Sequence, residues 1–70
     1  FSEAERARAE DCFRRAIEIL AEMKNELELA RCYRAFAAFR ERCGYSSDAS
    51  KLRTRADEIF GRLRGAASIE

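Results

Sequence analysis

The most reactive side chains in this 70-residue sequence belong to three cysteines, Cys12, Cys32 and Cys43. A thiol becomes a nucleophile when a neighbouring base removes its proton, but histidine, the usual base, is absent from the sequence. A structural zinc site needs about four ligands with short spacings such as Cys-x-x-Cys, and these cysteines lie far apart in the chain. We therefore expect reduced thiols on the core faces of helices, and we predict no enzymatic activity, no metal and no cofactor.

Adjacent carboxylates are the other groups that could carry acid–base chemistry. Glu10 and Asp11 form such a pair, and each is followed four residues later by an arginine, Arg14 or Arg15. On a helix this spacing places opposite charges side by side, which stabilises the helix by a few tenths of a kcal/mol per pair. We interpret these carboxylates as members of surface ion pairs.

Basic and acidic residues are almost equal in number across the chain. The 14 basic and 13 acidic residues give a formal net charge of +1, whereas a dedicated nucleic-acid binder carries a clearly basic surface. The locally basic stretch with Lys51, Arg53 and Arg55 leaves a helical nucleic-acid-binding domain as a minority alternative. No apolar run reaches the roughly 18 residues of a membrane span, so we expect a cytoplasmic protein without a membrane partner.

The composition favours helices throughout the chain. Ala, Glu, Arg and Leu are abundant and are good helix formers, while Val is absent and Thr54 is the only threonine. The sequence therefore predicts an all-α fold of three antiparallel helices. We assign residues 1–64 to a single three-helix segment and expect residues 65–70 to form a mobile tail. Because the sequence begins with Phe1, we also expect it to be a piece of a longer bacterial protein.

Capping residues define where the helices begin and end. Ser2 and Asn25 are good N-caps, and each is followed three residues later by a glutamate, as in a capping box. Gly44 stands where a glycine commonly ends a helix. The predicted helices span Ser2 to Met23, Asn25 to Cys43 and, after a cap at Ser46 or Ser47, Asp48 to Leu63 with an end at Gly65.

The second helix carries two apolar stripes, whereas each of its neighbours carries one. Its bulky stripe contains Leu29, Cys32, Phe36, Phe39 and Cys43. Its second stripe consists mainly of small residues and contains Ala30, Tyr33 and Ala37, with Ala38 further round. A helix with two packing surfaces must lie between other helices. Because one hairpin cannot cover both surfaces, we expect the segment to self-associate or to pack on flanking helices.

The spacing of these residues resembles the tetratricopeptide repeat, in which antiparallel helix pairs stack into a solenoid. The pattern comprises Ala9, Phe13 and Ala16 in the first helix, Tyr33, Phe36, Ala37 and Arg40 in the second, and Gly44 and Ala49 around the turn. Arg40 and Arg53 depart from the family pattern, which has aromatic residues there. A weak internal echo, Ala9-x3-Phe13-x2-Ala16 against Ala49-x3-Arg53-x2-Ala56, has a period near 40 residues and resembles the longer variant of this repeat.

The resemblance implies a function as well as a fold. In such repeats the first helix of each pair lines a concave groove that holds an extended peptide. The partner-binding residues implied here are Arg31, Tyr33, Arg34, Ala37 and Arg40. We therefore expect a protein–protein interaction or scaffolding module, within a larger regulatory or signalling protein, that binds a protein or peptide. The main alternative is a closed three-helix bundle used for dimerisation, in which all three helices share one core.

Overall fold

The structure, a computed structural model, describes residues 2–68 and consists of three α-helices. These are α1 (Glu3–Glu22), α2 (Glu26–Arg42) and α3 (Ser46–Ser68). Short turns join them, and no strand occurs between residues 2 and 68. The all-α, three-helix prediction is confirmed.

The N-caps of the first two helices are the ones predicted. The Oγ atom of Ser2 accepts a hydrogen bond of 3.2 Å from the backbone N–H of Glu5. The Oδ1 atom of Asn25 accepts one of 3.4 Å from the backbone N–H of Glu28. Each bond satisfies an amide that has no partner within its own helix, so these two residues set where α1 and α2 begin.

Both helical hairpins close with the same backbone turn, although only one of them contains glycine. After α2, Gly44 adopts φ +89° and the N–H of Tyr45 donates to the carbonyl of Arg40, which is a Schellman motif. After α1, Lys24 takes the equivalent position with φ 57°. A side chain in this left-handed conformation costs about 1 kcal/mol, and Lys24 bears that cost at the break that the sequence predicts between Met23 and Asn25.

The third helix is longer at both ends than the predicted span. It begins at Ser46, because the turn after α2 uses only Gly44 and Tyr45. It also continues through Gly65 to Ser68, so the predicted end at Gly65 is wrong. Glycine lowers helix stability by only about 1 kcal/mol relative to alanine, and the alanines that follow Gly65 favour continuation. The last two residues of the predicted tail lie outside the described residues.

The three helices form an open layer with α2 in the middle. Both α1 and α3 pack against α2, and within the described residues no Cα atom of α1 lies within 8 Å of α3. The molecule measures 49 × 24 × 12 Å, so its shortest dimension is about the diameter of one helix. The closed bundle that we considered as an alternative is therefore not the arrangement adopted.

The bulky stripe of α2 packs against α1 through aromatic rings. Phe13 of α1 stacks on Phe36 with a centroid distance of 4.9 Å and meets Phe39 at 5.7 Å. Phe36 is buried, with 4% of its surface exposed. This side of α2 therefore holds α1 as the two-stripe pattern predicted, but no residue of α1 itself is buried.

The small residues of α2 pack against α3. Ala30 and Ala37 lie seven residues apart on one face of α2, and both are completely buried. Arg34 and Glu41, on the same side of α2, contact Phe60 and Arg53 of α3. Alanines of α3 are equally buried at this interface, namely Ala49 and Ala56. Their small side chains let the two helices approach closely, which confirms that α2 is packed on two sides.

Candidate functional site

A groove runs along one face of the layer between α2 and α3, and we call it the α2–α3 groove. The part farther from the α2–α3 turn is lined by Leu29, Tyr33, Arg55, Glu58, Ile59 and Arg62. Its other part, nearer the turn between these helices, is lined by Phe36, Arg40, Asp48, Lys51, Leu52 and Arg55. Arg55 lines both parts and lies where they meet. The residues recur every three or four positions along each helix, so they share one face.

Only some of the predicted partner-binding residues line this groove. Tyr33 does so and is half-buried there. Ala37 does not, because it is completely buried, and the prediction that it faces a groove is wrong. The side chain of Arg31 is 63% exposed and pairs with Glu28 of its own helix at 2.9 Å. Arg34 lies over the ring of Phe60, with its guanidinium carbon 5.0 Å from the centroid.

Arg40 lines one end of the groove, but its charge is already satisfied by the protein. Its Nη1 lies 2.8 Å from Oδ2 of Asp48 in α3, and its Nη2 lies 3.5 Å from Oε2 of Glu10 in α1. The guanidinium also lies over the rings of Phe36 and Tyr45, at 5.0 and 5.7 Å. With only 15% of its side chain exposed, Arg40 joins the three helices, so we correct its expected role from partner contact to structural clamp.

The clamp also changes the interpretation of Glu10. Its expected partner was Arg14, one turn along the same helix, but the carboxylate turns towards Arg40 and is only 18% exposed. The Nε atom of Arg40 is buried without a hydrogen-bond partner, which fits a guanidinium whose face rests on an aromatic ring.

Several residues that line the groove are charged residues outside the apolar stripe of α3. These are Lys51, Arg55, Glu58 and Arg62. Their spacing of four, three and four residues was a visible signal of one helical face. That face borders a groove because Leu29 and Tyr33 of α2 lie opposite it. The periodicity of a single helix does not indicate which residues of another helix lie opposite.

The charges of the groove differ in whether the protein neutralises them. Nη2 of Arg62 lies 3.4 Å from Oε1 of Glu26, across the end of the groove. Lys51 and Arg55 make no ion pair with any of residues 2–65, whose side chains the structure describes. The groove therefore has an apolar floor and, along α3, two cations that form no ion pair with the described residues.

The cysteines lie outside the groove. Cys12 is exposed, which corrects the expectation that all three thiols face the core, whereas Cys32 and Cys43 are half-buried. Burial raises the pKa of the Cys32 thiol, so this side chain stays protonated and unreactive at neutral pH. In the part of the chain that is described, no three Cys, Asp or Glu side chains form a group able to hold a metal ion.

Comparison of the chain with protein-family models, with curated proteins and with solved structures gives no match. Among the described helices, none combines the length and the apolar character needed to cross a lipid bilayer. A functional interpretation therefore depends on the geometry and chemistry of the groove.

Proposed function

We propose that this chain is a protein–protein interaction module that binds a segment of a partner protein in the α2–α3 groove. The observation that supports this most directly is the floor of the groove, where Leu29, Tyr33 and Ile59 form an apolar strip beside charged side chains of α3. Recognition sites combine a concave apolar surface with a few polar groups that fix orientation. Tyrosine is a frequent anchor at interfaces because it offers a rigid ring and a hydroxyl group.

The openness of the fold also supports a binding role. The chain exposes 5251 Å² of surface, whereas a compact monomer of 8.1 kDa exposes about 4500 Å². Its radius of gyration is 13.4 Å, against about 11 Å for a compact domain of this length. The chain therefore leaves more surface accessible than a compact monomer of its size.

Replacing Tyr33 with alanine tests the proposed site. Peptides are first selected from a displayed library on the wild-type chain, and their dissociation constants are then measured by fluorescence anisotropy. We expect Tyr33→Ala to weaken the selected peptides about tenfold or more, because it removes a central anchor. Arg31→Ala, on the exposed side of the same helix, should leave binding unchanged. Equal binding to the wild type and both variants would place the site elsewhere and overturn the proposal.

A second candidate function, self-association, is favoured by apolar residues around the α1–α2 turn. Ile19, Met23 and Leu27 are 49%, 65% and 44% exposed, and α1 contains no buried residue. Side chains of this size are costly to leave in water, each contributing up to about 1.5–3 kcal/mol when fully buried. A second copy that packs on this surface would cover them.

We expect the double variant Ile19→Glu, Met23→Glu to lower the apparent mass of the chain in sedimentation equilibrium. The wild type would show a monomer–dimer equilibrium, and the two carboxylates would shift it to monomer. Ala4→Glu with Ala7→Glu is the matched control, because it adds the same charges at exposed positions of the same helix. A wild type that sediments as a monomer at every concentration would exclude this candidate.

A further inference from the structure

The two cations of the groove that form no ion pair with the described residues lie one helical turn apart. Lys51 and Arg55 are four residues apart on α3, which places their Cβ atoms about 6 Å from each other. Like charges at this spacing repel and destabilise a helix by a few tenths of a kcal/mol. Both side chains line the groove, and Arg55 lies where its two parts join. This repulsion is relieved when an anionic group binds between them.

The remaining charges of the groove give it a direction. Arg40 and Arg62 are neutralised by carboxylates of the protein, so the unpaired positive charge lies along the half of α3 nearer the α2–α3 turn. Glu58, one turn beyond Arg55, gives the opposite sign to the far half. A bound segment would therefore place its acidic residues beside Lys51 and Arg55 and a neutral or basic residue beside Glu58.

Apolar side chains lie beside both halves of the groove. Phe36 and Leu52 line the half that contains Lys51, and Leu29, Tyr33 and Ile59 line the other half. A ligand must therefore present apolar groups along the same edge as its acidic groups. Nucleic acid supplies the negative charge but not a continuous apolar edge, and the net charge of +1 gives it little long-range attraction. An amphipathic helix supplies both.

From this pattern, which rests on the proposed function, we infer that the α2–α3 groove binds an acidic amphipathic helix of a partner protein. Two of its carboxylates, spaced i and i+4, pair with Lys51 and Arg55. Its apolar stripe contacts Leu29, Tyr33 and Ile59. Charge complementarity thus selects the partner and sets its orientation, while the apolar floor supplies the contact area.

The test uses three synthetic helical peptides of about 16 residues that share one apolar stripe. They carry Glu, Gln or Lys at the two positions spaced i and i+4. We expect the Glu peptide to bind the wild type about tenfold more tightly than the Gln peptide, and the Lys peptide to bind least. The preference should weaken as salt is raised, because exposed charges are screened. Dissociation constants are measured by fluorescence anisotropy or calorimetry.

A charge reversal makes the assignment specific. In the variant Lys51→Glu, Arg55→Glu, the Lys peptide should become the tightest ligand and the Glu peptide the weakest. The control Arg14→Glu, Arg15→Glu changes the net charge equally on exposed positions of α1 and should keep the wild-type order. Circular dichroism verifies that both variants remain helical.

The outcomes separate this inference from the proposed function. Equal binding of the three peptides that is lost in Tyr33→Ala would overturn the acidic partner and leave the groove as the binding site. No binding of the Glu peptide would overturn the inference, as would binding of a short DNA duplex or RNA in its place that depends on Lys51 and Arg55. Library peptides that bind independently of Tyr33 would overturn the proposed function itself.

Discussion

Replacing Arg40 with alanine is expected to lower the free energy of unfolding by about 2–3 kcal/mol. The substitution removes the charge that neutralises Glu10, whose side chain is only 18% exposed, and Asp48 at the start of α3. It also removes the guanidinium that covers Phe36 and Tyr45. After the substitution the carboxylate of Glu10 stays half-buried without a partner. The free-energy cost of that unpaired charge exceeds the net stabilisation that the salt bridge contributed, so the expected loss of stability is large. Urea denaturation followed by circular dichroism measures it.

Two further variants separate the effect of burial at Arg40 from the effect of losing any ion pair between helices. Arg53→Ala removes another ion pair between α2 and α3, with Glu41, but both of those side chains are about half exposed. Exposed pairs contribute about 0–1 kcal/mol, so Arg53→Ala should be much milder. Arg40→Met keeps the contact with Phe36 and should recover part of the loss. If Arg40→Ala and Arg53→Ala unfold at the same urea concentration, Arg40 does not clamp the helices.

Local signals in the sequence were sufficient to predict the helices and the sides on which α2 packs. Ser2 and Asn25 could be identified as N-caps because the capping hydrogen bond joins a residue to the amide only three positions later in the chain. The two stripes of α2 could be recognised because helical periodicity fixes which residues share a face. Periodicity does not show whether another helix covers that face, and Met23 illustrates this. Periodicity places it on the same side of α1 as Phe13, yet it is 65% exposed because no described helix covers that end of α1.

The candidate site was only partly predictable because its residues come from two helices. Tyr33 was named as a partner-binding residue through the family resemblance and does line the groove, whereas Lys51 and Arg55 were noted only as part of a locally basic stretch. Arg40 was expected to contact a partner because the resemblance to the tetratricopeptide repeat implies that its position faces a groove. Its actual position depends on carboxylates from α1 and α3 and on two aromatic rings, and these contacts form only when the three helices pack together.

The close approach of α2 and α3 gives the second large expected effect, for the substitution Ala37→Leu. Ala37 is completely buried on the face of α2 that meets α3, where Ala30, Ala49 and Ala56 leave no exposed surface. A leucine side chain cannot fit without moving the helices apart, and overpacking of this kind costs about 1–3 kcal/mol. We expect a loss near the upper end, because the partner residues are alanines and cannot rotate away. Urea denaturation measures the free energy of unfolding of this variant and of the control Ala38→Leu.

The same substitution links the core to the groove, because the distance between α2 and α3 sets the groove's width. Ala37→Leu should therefore also weaken the selected peptides, although Ala37 touches none of them. Ala38→Leu adds the same side chain one residue further on, at an exposed position, and should change stability by less than about 0.5 kcal/mol and leave peptide binding intact. Equal stability of the two variants would show that α2 and α3 do not pack closely through their alanines. Unchanged peptide binding in a destabilised Ala37→Leu would show that the groove does not depend on that spacing.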